Sequence, residues 1–407
     1  MDQVFAFLDK QRDLVIDLQK HLVAIPALGP DNDGDGEQAK AEWLKGRMQD
    51  MGFPRLENID APDTRVSAGF RPNIAGIIPG KDTSRTLWVI AHTDVVPSGD
   101  LELWDSDPWT LRVEDDVMYG RGVEDNHQGI VSGLLVAQAL LDLNITPPIN
   151  YGALMVADEE TASLYGLDYV VAHRADLFSK DDIIVVPDFG VADSSLVEIA
   201  EKQMLWLKVS VKGKQCHAST PGQGVNSLVA ASAFVVKLRE LYAKFNQQDE
   251  LFDPPTSTFE PTKKEANVPN VNTIPGLDVF YVDCRVLADY DLDAVLAEVK
   301  AMGEAIAAEY NVGVEYDIVQ RGEAAPNTAP DSEVVARLAR GIKAVYNVEA
   351  KPAGVGGGTV AAFLRKRGYP TAVWATCVHN AHQPNESSLI STQIGDAKVL
   401  AHMLLAE

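Results

Sequence analysis

Apolar residues recur at helical spacing from about Val4 to Ala24, with Leu14, Leu18 and Leu22 stacked every four positions, and Pro26 ends the run. This pattern predicts one long surface helix. A second helical pattern runs from Ala39 to Met51 and stops at Gly52. Short unbroken apolar runs follow at Leu87–Ala91, Leu154–Ala157, Ile183–Val186 and Ala372–Ala375, with a helical stretch at Gly129–Leu143 among them. Such runs read as strands buried on both faces. Alternating with helices, they predict an α/β layer whose mainly parallel sheet is flanked by helices.

The middle of the chain has a different rhythm. From Gln203 to Val211 apolar and polar positions alternate, so Leu205, Leu207, Val209 and Val211 share one face of a half-buried strand. A helix at about Ser227–Phe245 comes next. Strands near Val268–Thr273 and Leu277–Val286, a helix at Leu292–Tyr310 and a strand at Val312–Ile318 complete the set. The order β-α-β-β-α-β is that of an α+β ferredoxin-like domain. Lying between two α/β segments, it reads as an insertion: residues 204–320 within a domain made of 1–203 and 321–407.

At 407 residues, 46% hydrophobic and 23% charged, the chain has the composition of a globular protein. Its net charge of −24 argues against nucleic acid or an anionic membrane as partner. No apolar run approaches the ~20 residues of a membrane span. The first residues mix charge throughout, unlike a signal peptide. Three scattered cysteines, Cys216, Cys284 and Cys377, make no disulfide framework, and a cytoplasmic location is expected.

Polar residues follow the buried strands. LWVIA leads into His92 and Asp94, ALMVA into Asp158, Glu159 and Glu160, IIVVP into Asp188, and TAVWATCVHNA into His382; Asp125 sits in GRGVEDN just before a helix. Sites in open α/β sheets form beyond the carboxyl ends of the strands. Taken singly, each group has an ordinary role, as a capping histidine or a solvated acid. Together, two imidazoles and several carboxylates suit zinc, cobalt or manganese. The surplus of carboxylates suggests two cations bridged by one carboxylate, ~3.5–4 Å apart.

The stretch HTDVVPSGDLELWDSDPWTLRVEDDVMYGRGVEDNHQG, then ADEETAS, PDFG, CHASTPGQGVNS and HNAHQPNE, strongly resembles the two-zinc amidohydrolase and peptidase family over nearly the whole chain. That family includes succinyl-diaminopimelate desuccinylase, acetylornithine deacetylase, aminoacylase and the glutamate-type carboxypeptidases. The resemblance implies the two-zinc exopeptidase fold, with the inserted domain as a lid and dimerisation domain. It implies that His92 and Asp188 hold one metal, Glu160 and His382 the other, and that Asp125 bridges them. Asp94 would orient His92. Glu159 would be the general base, taking a proton from the attacking water and passing it to the leaving amine. His217, from the lid, would enter the partner's site in a homodimer and stabilise the oxyanion. Cys216 beside it is not needed as a nucleophile.

Arg285, in YVDCRV, looks like the family's carboxylate-binding arginine, an ion pair with Asp283 being its ordinary alternative. Asn272 would help hold substrate. Gly357 lies in AGVGGGT, a run with no clear strand ahead of it, and would approach a substrate carboxylate. Two departures cloud substrate preference. The family usually has Met-Lys after the bridging Asp, where this chain has Asn126-His127, so a cation near the site is lost; His127 is expected at the helix start, off the metal. Val360 follows Thr359 where relatives often carry Asp. Separately, DNDGDGEQAKAE over 31–42 matches an EF-hand loop, or else is a polar loop with Asp35 capping the next helix.

The expectation is therefore metal-dependent hydrolysis of the amide bond of a small N-acyl amino acid, of the desuccinylase or deacetylase kind. A dipeptidase or metallo-carboxypeptidase acting on short peptides is the alternative, and a non-catalytic metal-bound scaffold the remote one.

Overall fold

The computed structural model describes residues 1–406. The chain divides into two compact units. The first comprises Met1–Ile199, Pro326–Ala353 and Thr359–Glu407; the second comprises Ala200–Ala325 and Gly354–Gly358.

An eight-stranded sheet organises the first unit, in the order Arg55–Pro62, Phe70–Ile78, Ile149–Val156, Asp82–His92, Ile183–Gly190, Thr371–Ala375, Leu196–Glu201, Lys351–Val355. Its centre is parallel: Asp82–His92 pairs in parallel with both neighbours, and Thr371–Ala375 does so with Ile183–Gly190. Antiparallel pairings flank that centre. The unbroken apolar runs follow from burial on both faces. Trp88 and Ile90 pack with Leu167, Val170 and Leu364 in one core cluster. The intervening Val89 points the other way, toward Gly133 of the helix His127–Asp142. No helix among the described residues is long and apolar enough to cross a membrane.

The first helix is not continuous. It breaks into Asp2–Leu8 and Arg12–Ala24. The junction, Asp9-Lys10-Gln11, offers no apolar side chain to bury, and Phe7 O there accepts both Lys10 N–H and Gln11 Nε2, each at 3.1 Å.

The second unit holds an antiparallel four-stranded sheet in the order Thr258–Lys264, Leu277–Val286, Gln203–Lys212, Gly313–Gly322. Leu205, Leu207, Val209 and Val211 are fully buried, against Ala230 and Phe234 of the helix Ser227–Lys237 and Val295, Val299 and Met302 of the helix Leu292–Tyr310. Asn226 and Asp291 cap those helices through their side chains. The strand expected near Val268–Thr273 forms earlier, at Thr258–Lys264. Pro261 and three charged side chains hide its pattern, as suits an edge strand. Of the expected segment only Thr273 pairs, in the short ribbon of Thr273–Ile274 with Cys216–His217.

Candidate metal centre

The parallel strands of the first unit carry the site beyond their carboxyl ends. His92 is the last residue of its strand, Glu159 and Glu160 lie in a single 3-10 turn after Ile149–Val156, and Asp188 is still within Ile183–Gly190. Asp125 precedes the helix His127–Asp142, and His382 lies in the loop after Thr371–Ala375.

These segments converge. His92 Nε2 is 2.9 Å from Asp125 Oδ1 and 3.3 Å from Asp188 Oδ1. His382 Nε2 is 3.0 Å from Asp125 Oδ2 and 3.2 Å from Glu160 Oε2. Two groups could each hold a metal ion: His92, Asp125 and Asp188, and Asp125, Glu160 and His382. Within each, the ligating atoms lie within 4.8 Å of one another, and Asp125 belongs to both.

Asp94 ties the arrangement from beneath. Fully buried, it accepts the backbone N–H groups of Glu159 and Glu160, both at 3.0 Å, and its Oδ1 is 3.5 Å from His92 Nδ1. Asn126 donates to Asp188 Oδ1 and, at 2.8 Å, to Pro187 O. Gly129 permits that approach, because a Cβ there would lie 2.8 Å from Pro187 O. Behind the acidic turn, Asp158 accepts from Tyr165 N–H and pairs with the buried Arg71, itself held by Glu37.

A model of one known family matches residues 88–406. The chain belongs to peptidase family M20/M25/M40. It is 40% identical over 412 residues to an uncharacterized metallohydrolase of Methanococcus maripaludis, covering 96% of this chain and 99% of the relative. It is 25% identical over 378 residues to succinyl-diaminopimelate desuccinylase of Acinetobacter baylyi, covering 92% and 93%. Human carnosine dipeptidase 1 has the same fold, with a TM-score of 0.76 at 18% identity over 99% of this chain and 97% of that one. The protein is a metallohydrolase.

The donor set of this M20 metallohydrolase fits divalent cations. Burial works against charge on His92, yet Asp188, Asp125 and Asp94 hold its pKa well above the usual imidazole value. Hydrogen bonds to Asp125 and Glu160 raise His382 to about 10. Protons thus sit where the carboxylates call for positive charge, and a metal would displace them. Burial raises Glu159 well above the usual carboxylate range, and the acids Asp188, Glu160 and Asp125 add to it. A cavity of about 210 Å³ opens beside Asp125 and Asp188, lined also by Phe189, Cys377 and His379.

A second basic residue lies against the helix start. His127 does stand at the helix start, but its Nε2 is 2.8 Å from Nζ of Lys40, and both residues are buried. Burial pulls the Lys40 ammonium down to about 7, against the opposing carboxylates of Asp94, Glu37 and Glu386. From about pH 7 to about pH 10 the unfolded chain therefore binds more protons at Lys40 than the folded one, so stability rises with pH. Chemical denaturation across that window should show wild type gaining on Lys40→Met by up to about 1.4 kcal/mol per pH unit. A flat difference would mean that Lys40 titrates normally.

The loop 31–42 does not gather its acids. Asp31 pairs with Arg65 and Asp35 accepts from Ser67 N–H, leaving the helix Gln38–Asp50 without a side-chain cap. Among the described residues, no metal-holding group includes these positions.

On the second unit, His217 is exposed in its short ribbon, with Nδ1 2.7 Å from Ser219 Oγ. Asn272 O accepts from Ala218 N–H at 2.8 Å, so the two predicted residues share one edge. Arg285 does pair with Asp283, Nε to Oδ1 at 2.8 Å and Nη2 to Oδ2 at 3.1 Å, while Nη1 donates to Gly356 O at 2.9 Å. A Cβ at Gly357 would meet nothing within 4 Å. A strand, Lys351–Val355, does lead into this glycine run. The residues that sequence reasoning missed are Glu124, Glu386 and Lys40, all buried; only the acid pair Glu124-Asp125 and the ending Asn385-Glu386 signalled the first two.

Proposed function

We propose that this protein hydrolyses the amide bond of an N-acyl amino acid with two divalent cations, zinc before cobalt or manganese. The observation that carries this reading is Asp125, whose two carboxylate oxygens face separate histidines, Oδ1 toward His92 and Oδ2 toward His382. His92 and Asp188 would hold one ion, Glu160 and His382 the other. Ions held by these residues would supply Lewis acidity, lowering the pKa of a water and polarising the amide carbonyl. Glu159 lies outside both groups yet is fixed through its backbone to Asp94, so it takes the water's proton and returns it to the leaving amine. Asp94 keeps the His92 ring turned toward Asp125.

The four-stranded sheet order and its two helices support reading the second unit as a ferredoxin-like lid. Its exposed His217 suits a role in a partner's site, with Asn272 and Gly357 as substrate contacts. Arg285, held by Asp283 on one edge and by Gly356 O at Nη1, would have to offer the second N–H of Nη1 to a substrate carboxylate. Light scattering that finds a monomer removes the partner's histidine from this scheme.

The desuccinylase relative favours an acylated amino acid. Dipeptidase or carboxypeptidase action is the second reading, since a human dipeptidase shares the fold and the fold does not choose between them. A hydrolysis screen of the zinc- or cobalt-loaded protein decides, with N-succinyl-diaminopimelate and N-acetylornithine against a dipeptide library. Turnover of an acylated amino acid, abolished by chelation, is expected. Turnover of dipeptides alone overturns the substrate assignment, and silence with metal bound means that the substrate lies outside both classes.

A further inference from the structure

His382 has little packing to hold it. Its side chain is 53% exposed, its backbone is left-handed at φ 63°, and it belongs to no helix or strand. Even so, its Nε2 meets both Asp125 and Glu160 at hydrogen-bond distance. Something must fix the loop that carries it against the turn that carries Asp125, 257 residues earlier in the sequence.

Two buried carboxylates join these segments, one from each. Glu386, four residues after His382, reaches the Asp125 turn. Its Oε1 accepts the N–H groups of Glu124 and Asp125 at 3.0 and 3.1 Å, and its Oε2 accepts Gly122 N–H at 3.0 Å and Arg121 Nη1 at 2.5 Å. Glu124, next to Asp125, reaches the His382 loop. Its Oε2 accepts Val378 N–H at 2.6 Å, and its Oε1 accepts Asn380 and Ala381 N–H at 3.1 and 3.3 Å. Asn380 then closes the loop on itself, exchanging hydrogen bonds with Ser387 at 2.7 and 3.0 Å.

The two acids differ in one respect. Glu386 has the buried Arg121 as counter-charge, whereas Glu124, 4% exposed, is bonded only to backbone N–H groups. An uncompensated buried carboxylate is costly to a fold, and an apolar side chain would fill the same space more cheaply. What the carboxylate supplies is a fixed position: three N–H groups of one loop on a side chain whose own backbone is pinned by the other.

We propose that Glu124 and Glu386 form a reciprocal clasp and that Glu124 is a positioning residue, setting His382 against Asp125 for the ion held by Asp125, Glu160 and His382. This rests on the two-ion reading above. The other group shares Asp125, whose N–H stays on Glu386 when the Glu124 side chain is changed, and its His92 and Asp188 are placed by strands, so it does not depend on the Glu124 carboxylate.

The test is calorimetric titration of the full-length, metal-stripped protein with zinc. Wild type should show two binding events. Glu124→Gln, which turns an N–H donor toward the loop's own N–H groups, should weaken one event by about ten- to a hundredfold and leave the other unchanged. In the cobalt-loaded protein the visible spectrum of one site should change while the other persists. Equal affinities in wild type and variant overturn the clasp. So does a matched weakening of both events with a lowered melting temperature, which marks a general role in folding. If Glu124→Gln does not fold, Glu124→Asp keeps the buried charge but is too short to reach all three donors, and the same weakening of one event is expected. A wild-type protein that binds one ion overturns the two-ion reading by itself; the clasp then stands or falls on whether Glu124→Gln weakens that single event.

Discussion

Glu159→Gln is expected to lower kcat by about a thousandfold and to leave the bound metal unchanged. The rate loss follows from the role: a positioned general base contributes about a hundred- to ten-thousandfold, and an amide of the same shape cannot accept the proton. The unchanged metal follows from the geometry. Glu159 is in neither ligand group, and what anchors it is its backbone N–H on Asp94, which the substitution keeps. Desolvation is the main reason its pKa is raised, and the charges of Asp188, Glu160 and Asp125 add to it. Cations bound beside it would oppose that shift and favour the ionised form. Since only the ionised form accepts a proton, kcat/KM of wild type should fall on the acid side, and the residual activity of Glu159→Gln should lack that limb. Wild-type turnover in the variant, with metal content intact, would place the base elsewhere.

Glu159 was legible because it follows a strand. His92, Glu160 and Asp188 share that signature: a continuous apolar run, buried on both faces, that ends in a metal-binding type of side chain. The central parallel strands were legible for the same reason. Legibility failed where the pattern was diluted. The edge strand Thr258–Lys264 is half charged and interrupted by Pro261, and the strand Lys351–Val355 is too short and small-chained to stand out beside its glycines. It failed again where the partner lies far along the chain. Glu124 reads as one more surface acid in a chain of net charge −24, because its donors are about 255 residues away. Lys40 reads as a solvated helix residue, since nothing local announces that His127 will cover it. Long-range hydrogen bonds leave no periodicity; they need the fold to be seen.

Asp125→Ala should have the largest effect of any single substitution. Asp125 alone belongs to both ligand groups, with Oδ1 facing His92 and Oδ2 facing His382. On the two-ion reading, its removal would take one of three protein ligands from each ion and the negative charge between them. Zinc titration of the stripped variant should therefore show both events weakened by a hundredfold or more, roughly twice the ~1.4 kcal/mol that a tenfold change in affinity represents. His382→Ala and Asp188→Ala should each impair one event, and a different one. The rate should fall further than the base substitution lowers it, because cations held there would supply several kcal/mol of transition-state stabilisation at about 1.4 kcal/mol per tenfold. The pattern across the three variants carries more than any one value. Two independent sites would make Asp125→Ala resemble one of the single-site variants, whereas a shared carboxylate makes it resemble both together. Its two oxygens, each within 3.0 Å of a different histidine, are the reason to expect the second result.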